Sequence, residues 1–158
     1  MATPAPSRGA GRALVLACGN SLRSDDGVGL KIGCAVEQQP PRGNLNVILS
    51  HQLLPEHALD VSEADIVVFV DCSAVTAAGV VTTLAVQPAE KLPRILTHHL
   101  DPASMLTMSQ ELYGHMPARA FAVTVGAGSF EMGETLTATV EAAIPAAVAA
   151  IHKALLSL

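Results

Sequence analysis

Two spacings of apolar side chains alternate along the chain. Ala13 to Ala17 is an unbroken apolar block stopped by Gly19-Asn20, short enough to be a buried strand. From Gly27 to Gln38 the apolar residues Val28, Ile32, Ala35 and Val36 recur at helical spacing, and the stripe stops at Pro40-Pro41 because proline cannot continue a helix. Gly43 and Asn44 turn the chain into a second strand, Asn46 to Ser50, and Pro55 to Glu63 leaves room for only a short helix. Ile66 to Val70 is wholly apolar and mostly β-branched, which predicts a central buried strand ending at Asp71. Thr76 to Val86, rich in Val and Thr and broken by Gly79, reads as a turn plus an outer strand, and Pro88 to Arg94 as a loop. Asp101-Pro102 joins an N-cap to a proline at the first helical position, so a helix should run to about Tyr113 and end at Gly114 and Pro117. Phe121 to Val125 is the last strand. Thr137 to Leu156 carries Val140, Ile144, Val148, Ile151 and Leu155 at helical spacing, with a kink expected at Pro145.

Strands alternating with helices predict a doubly wound α/β fold: a single-domain, three-layer α/β/α sandwich around a mostly parallel, about five-stranded twisted sheet. The domain is read as residues 13–158, after a lead-in over residues 1–12, MATPAPSRGAGR, expected to be disordered. With 158 residues, 50% of them apolar but only 3% aromatic, the core must be built from Val, Leu, Ile and Ala, as suits a parallel sheet covered on both faces. Nine basic residues against fourteen acidic ones, with Lys and Arg scattered singly, give no basic footprint for nucleic acid. Cys18, Cys34 and Cys72 are too far apart for a Cys-x-x-Cys site, and their odd number points to free thiols. The lead-in lacks a signal-peptide core and no apolar stretch approaches the roughly 20 residues that span a bilayer, so a soluble cytoplasmic protein is expected.

The first strand-to-helix turn carries the most specific chemistry. A turn at the carboxyl edge of an open α/β sheet is where ligands collect, and its usual occupant is a phosphate on backbone N–H groups. Asp25 and Asp26 would repel a phosphate and suit a cation or a polarised water. Acids in a first helical turn also interact favourably with the dipole, by about 0.3–1 kcal/mol. Neighbouring helical residues point about 100° apart, so one acid faces the site: Asp26 is assigned to the metal and Asp25 to capping or outer support. Asn20 either orients a substrate carbonyl or serves the turn alone. His98 and His99 precede the Asp101 cap, and His51, followed by Gln52, ends the second strand. Three strand exits thus bring Asp26, His51 and His98 or His99 to one edge, a mixed carboxylate and imidazole set that suits nickel or zinc. Asp71 either orients a ligand histidine or bonds local backbone N–H groups. Cys72 and Cys18, also at strand ends, are thiol nucleophiles if a histidine is near and small apolar fillers otherwise. The turn at Gly126-Ala127-Gly128 allows close approach of a backbone or a substrate. His57, His115 and His152 are read as structural.

GNSLRSDDGVG, from Gly19 to Gly29, resembles the signature of the nickel-iron hydrogenase maturation endopeptidases. HQLLPE (His51 to Glu56), ADIVVFVDC (Ala64 to Cys72), THHLDPASML (Thr97 to Leu106) and the tail VGAGSFEMGETLTATVEAAIPAAV resemble later segments of that family in the same order, so the resemblance covers nearly the whole chain after the first dozen residues. It implies an enzyme that trims a C-terminal extension from a hydrogenase large-subunit precursor once the nickel-iron centre is loaded, recognising the bound nickel. Family members reach that metal with an acid of the first motif, an acid at the end of the second strand, and a histidine. Here these imply Asp26 and His99 or His98. The second position departs from the pattern, its nearest counterparts being His51 and, one turn on, Glu56. Asn20, Asp25, Asp71 and Gly126 are expected to contact substrate. The nickel would be borne by the substrate and held only weakly by the free protein, which is expected to be a monomer with no nucleic-acid partner and no membrane insertion. Two alternatives stand beside this reading: a cysteine-dependent hydrolase using Cys72 or Cys18 with His99, and a non-enzymatic metal-binding assembly factor.

Overall fold

The computed structural model describes residues 11–40, 42–92 and 100–157. Its strands are β1 (Arg12–Cys18), β2 (Asn44–Ser50), β3 (Ile66–Ser73), β4 (Val81–Ala85) and β5 (Arg119–Gly126), and its helices α1 (Val28–Glu37), α2 (His57–Glu63), α3 (Pro102–Tyr113) and α4 (Ala138–Leu155), with a 3-10 turn at Ser24–Gly27 ahead of α1. Among the described residues the strands form one five-stranded sheet in the order β2-β1-β3-β5-β4. All neighbours are parallel except β4, which runs antiparallel to β5 as an edge strand.

Successive side chains on a strand point to opposite faces, and the apolar blocks therefore feed two cores. On one face Val15 and Ala17 of β1, Val68 and Val70 of β3, and Val123 and Val125 of β5 meet α1 and α4. On the other, Leu14, Leu16, Val67 and Phe69 meet α2 and α3 through Ala58, Val61, Met105 and Leu106. Full burial of a Val or Leu side chain is worth about 1.5–3 kcal/mol, so this continuous and mainly aliphatic packing carries the sandwich with little aromatic help beyond Phe69. The α/β/α expectation is met.

α3 starts and stops as its end signals predict. The Asp101 Oδ1 accepts from the Ser104 N–H at 2.7 Å, Pro102 opens the helix, and Gly114 closes it in a left-handed conformation at φ 70°. α4 runs through Pro145 as one element. Pro145 and Glu141 are both exposed, so the carbonyl that loses its helical partner faces water. By length and composition α4, at 18 residues, is apolar enough to cross a membrane, contrary to the sequence-based expectation. Its Val140, Ala143, Ala147, Val148 and Ile151 are instead packed on the sheet, which accounts for that apolarity. Residues 1–10 of the expected lead-in lie outside the described residues, and β1 already starts at Arg12.

The departure that matters most is at the end of β3. The β1–β3 ladder ends at Ala17↔Val70, whereas β3 continues along β5 through Asp71↔Thr124 and Cys72↔Val125 to Ser73↔Gly126. β1 leaves the sheet after Cys18, with the Gly19 N–H turned to the Ser50 carbonyl at 3.2 Å. The strands therefore part on the carboxyl side of Val70. This is the point where the chain order reverses, β2 lying on one side of β1 and β3 on the other, and such a switch point opens a crevice.

Candidate active site

The crevice is a cleft of about 430 Å³. Gly19, Asn20, Arg23 and Asp26 of the first motif form one wall, His51 and Gln52 enter from the end of β2, Asp71 comes from β3, and Leu100, Asp101 and Pro102 bring the start of α3 to the rim. Asp26 and Asp71 face each other across the β1–β3 split. With Cys72 they form a group whose potential ligand atoms all lie within 4.8 Å of one another. The Asp26 Oδ1 accepts from the Cys72 Sγ–H at 3.1 Å, and the Asp71 Oδ1 accepts from the backbone N–H of Cys72 at 2.7 Å. Two carboxylates so close suit a shared divalent cation, because opposite charge relieves their mutual repulsion.

The motif's glycines are what bring this turn down onto the sheet. A Cβ on Gly19 would lie 2.3 Å from the Asp26 carbonyl oxygen and would push out the turn that carries this acid, and one on Gly29 would lie 2.1 Å from the Cys18 carbonyl oxygen and would push α1 off β1. Asn20 completes the turn locally: its N–H donates to the Asp26 carbonyl at 3.0 Å and its Oδ1 accepts from the Leu22 N–H at 3.0 Å. Its side-chain oxygen thus serves the loop while the residue itself lines the cleft.

The fold recurs in solved structures. The chain superposes on the hydrogenase maturating endopeptidase HybD from E. coli with a TM-score of 0.75 and 28% sequence identity, covering 92% of this chain and 93% of that one. The likeness in fold and sequence supports membership of the hydrogenase maturation endopeptidases. An endopeptidase from Escherichia coli determined in solution is also 28% identical, with a TM-score of 0.72 over 91% of each chain. At 20% identity the hydrogenase maturation protease HycI from Thermococcus kodakarensis KOD1 shares the fold, with a TM-score of 0.69 over 93% of this chain and 94% of that one. No family model matches the chain, and no curated protein matches it in sequence. The cleft is accordingly read as that of a peptide-bond hydrolase with a processing role.

Within this endopeptidase fold the expected site residues separate. Asp26 lines the cleft as expected. The carboxylate that closes on it is Asp71, from the end of the third strand, whereas the sequence reading looked for the second ligand at His51 or Glu56. His51 lines the cleft but stands outside the carboxylate group, and Glu56 sits at the start of α2, exposed and away from the cleft walls. Gly126, expected to contact substrate, is not among the residues lining the cleft. A Cβ there would lie 1.9 Å from the Ala77 carbonyl oxygen, so this glycine allows the β3–β4 connection to pass over the end of β5. His98 and His99 lie outside the described residues; Leu100, next in sequence, lines the cleft. His57, left structural by the sequence, is buried and its Nδ1 accepts from the Leu54 N–H at 3.0 Å. His115 pairs with the Ser62 carbonyl and His152 with the Gln39 side chain.

Asp25 has no exposed surface and cannot touch substrate. Its Oδ2 accepts from the N–H groups of Gly128 at 2.8 Å and Ser129 at 2.9 Å, and its Oδ1 accepts from the Thr137 N–H at 2.7 Å, with the Thr137 hydroxyl adding a further bond at 2.9 Å. Burial opposes the charged form, but these hydrogen bonds from Thr137, Gly128 and Ser129 outweigh it and hold the carboxyl below its ordinary range. Ser24 beside it occupies the left-handed region at φ 51°, a costly conformation for a residue with a side chain. It is fixed there by its N–H on the Gly133 carbonyl at 2.8 Å and its hydroxyl on the Glu131 carbonyl at 2.7 Å. The β5–α4 connection thus clamps the turn that carries Asp26, a role the sequence assigned only loosely to Asp25.

The thiols are not set up as nucleophiles. Burial and the charge of Asp71 push the Cys18 thiol up to about 12. Burial, the hydrogen bond to Asp26 and the surrounding carboxylates push the Cys72 thiol still higher. A reactive cysteine needs the reverse, an electropositive setting that favours thiolate.

Proposed function

We propose that this protein removes the C-terminal extension from the nickel-loaded precursor of a nickel-iron hydrogenase large subunit. The observation that carries the reading is the pair of carboxylates, Asp26 and Asp71, on the walls of a switch-point cleft in an endopeptidase fold. Two carboxylates, with a histidine from the His98-His99 pair, make an incomplete ligand set for an ion that prefers four or more partners. In this reading the remaining ligands come from the precursor's own cysteines, and nickel is part of the substrate.

Docking the loaded precursor would bring its nickel to Asp26 and Asp71 and lay the scissile peptide along the cleft. The protein then contributes position and charge: the carboxylates hold the metal-bearing segment, and Arg23, whose guanidinium lies 5.8 Å from the centre of the Phe130 ring, offers a cation to a substrate oxygen. Nickel beside the scissile carbonyl can act as a Lewis acid toward it or toward water. No thiol is required, in keeping with the protonated state that its surroundings impose on Cys72. The protein is proposed to act as a cytoplasmic monomer.

The test is incubation of the purified chain with nickel-loaded and nickel-free precursor, followed by intact-mass measurement. Loss of a C-terminal peptide from the loaded precursor alone is expected, with an unrelated protein such as casein left intact. Cleavage of nickel-free precursor or of casein would overturn the substrate-borne nickel reading.

A further inference from the structure

We propose that Cys72 is a positioning residue for the cleft: its thiol fixes the rotation of the Asp26 carboxylate, committing Oδ1 and leaving Oδ2 as the oxygen available to a ligand. The inference deepens the proposed function and rests on it for the part read by precursor cleavage. A carboxylate on an exposed turn can rotate about its terminal bond, and its two oxygens then exchange roles. At Asp26 that freedom is removed by the Sγ–H of Cys72, 3.1 Å from Oδ1. A hydrogen bond to an ionised acceptor is among the stronger kinds, even from a donor as weak as a thiol.

The donor itself is rigidly held. Cys72 lies within β3 and pairs with Val125 of β5 in a parallel ladder, and its side chain packs against the core beneath α1. The same residue gives its backbone N–H to the Asp71 Oδ1 at 2.7 Å. One residue on the sheet therefore sets an oxygen of each acid, Asp71 through the main chain and Asp26 through the side chain. Cys72 is not among the residues lining the cleft, and its Sγ–H is committed to Asp26, so it acts on the site through that carboxylate.

Two measurements test this. The first is the infrared S–H stretch of the chain alone, which needs neither metal nor precursor. Hydrogen bonding lowers this frequency, so the wild-type spectrum should contain a lowered component that Cys72→Ala removes and Asp26→Ala returns to higher frequency. If Asp26→Ala leaves the spectrum of Cys72 unchanged, the thiol does not donate to Asp26 and the proposal falls. The second compares kcat/KM on nickel-loaded precursor. Cys72→Ala should lose about tenfold, the worth of one hydrogen bond to a charged group, and Cys72→Ser, which keeps a donor, should recover most of that loss at an unchanged melting temperature. Equal activity of wild type and Cys72→Ala would overturn the positioning role. A wild-type chain that cleaves no loaded precursor would instead defeat the proposed function, and the infrared result would still decide whether Cys72 fixes Asp26.

Discussion

Replacing Asp25 with alanine should destabilise the domain without unfolding it, and the structure sets the size of the effect. The carboxylate receives backbone N–H groups of Gly128, Ser129 and Thr137, and none of its surface is exposed. Alanine strands all three donors, and each buried donor left unpaired costs about 1–3 kcal/mol. Taken at the lower end, because water can enter the space vacated by a carboxylate, the three cost about 3 kcal/mol. That is a large share of the roughly 5–15 kcal/mol that holds a typical domain. At about 2–4 °C per kcal/mol for a domain of this size, melting should fall by about 6–12 °C. The pH dependence follows from the lowered carboxyl. Because its folded value lies below the unfolded one, its contribution is complete above the unfolded pKa, about 3.9, and is lost as pH falls through the folded value. Thermal melts followed by circular dichroism at neutral pH, then stepwise below pH 4, should show wild type losing stability more steeply than Asp25→Asn, which has no carboxyl to titrate there. An Asp25→Ala chain that melts with the wild type, or wild-type and Asp25→Asn profiles that run parallel in acid, would refute the clamp.

Asp26→Ala and Asp71→Ala should each abolish precursor processing at nearly unchanged melting temperature, since both side chains stand on the cleft wall rather than in the core; near-normal cleavage by Asp71→Ala together with a dead His51→Ala would return the second ligand to the end of β2. His51→Ala is expected to process precursor. Within the His98-His99 pair, His99→Ala should lose processing, and a normal rate in the same mass assay transfers the role to His98. Gly29→Ala should lower stability by about 1–3 kcal/mol, read by urea unfolding, because its Cβ meets the Cys18 carbonyl from 2.1 Å; an unaltered midpoint would show that α1 is free to lift from β1.

Much of this architecture is legible in the sequence because aliphatic blocks and end signals are local. IVVFV between Asp65 and Asp71 can only be a buried strand, and Asp101-Pro102 announces α3 within a residue of its start. Asp26 is legible for the same reason, as an acid just past a strand-to-helix turn. Its partner is not. Whether Asp26 meets a group from the second strand or from the third depends on the strand order and on β3 outrunning β1, neither of which leaves a local trace. The sequence points instead to His51 or Glu56, where the resembled family carries an acid at the end of the second strand, and gives Asp71 a supporting part. Asp25 was hidden more deeply. Its acceptor role is defined by donors at Gly128, Ser129 and Thr137, separated from it by 103 to 112 positions.

That separation has a bearing on how the protein is made. Among the described residues, every one lining the cleft lies at or before Pro102, so a ribosome that has released the first two-thirds of the chain has already delivered them all. The clamp on Asp25 comes from residues 128–137, among the later ones to emerge. Until they arrive, Ser24 and Asp25 lack the partners that clamp them, and the turn that presents Asp26 rests on its bonds to Asn20, Arg23 and Cys72. A nascent or C-terminally truncated chain would carry the acids without that clamp. The acids of the site are thus in hand well before the clamp that completes their support.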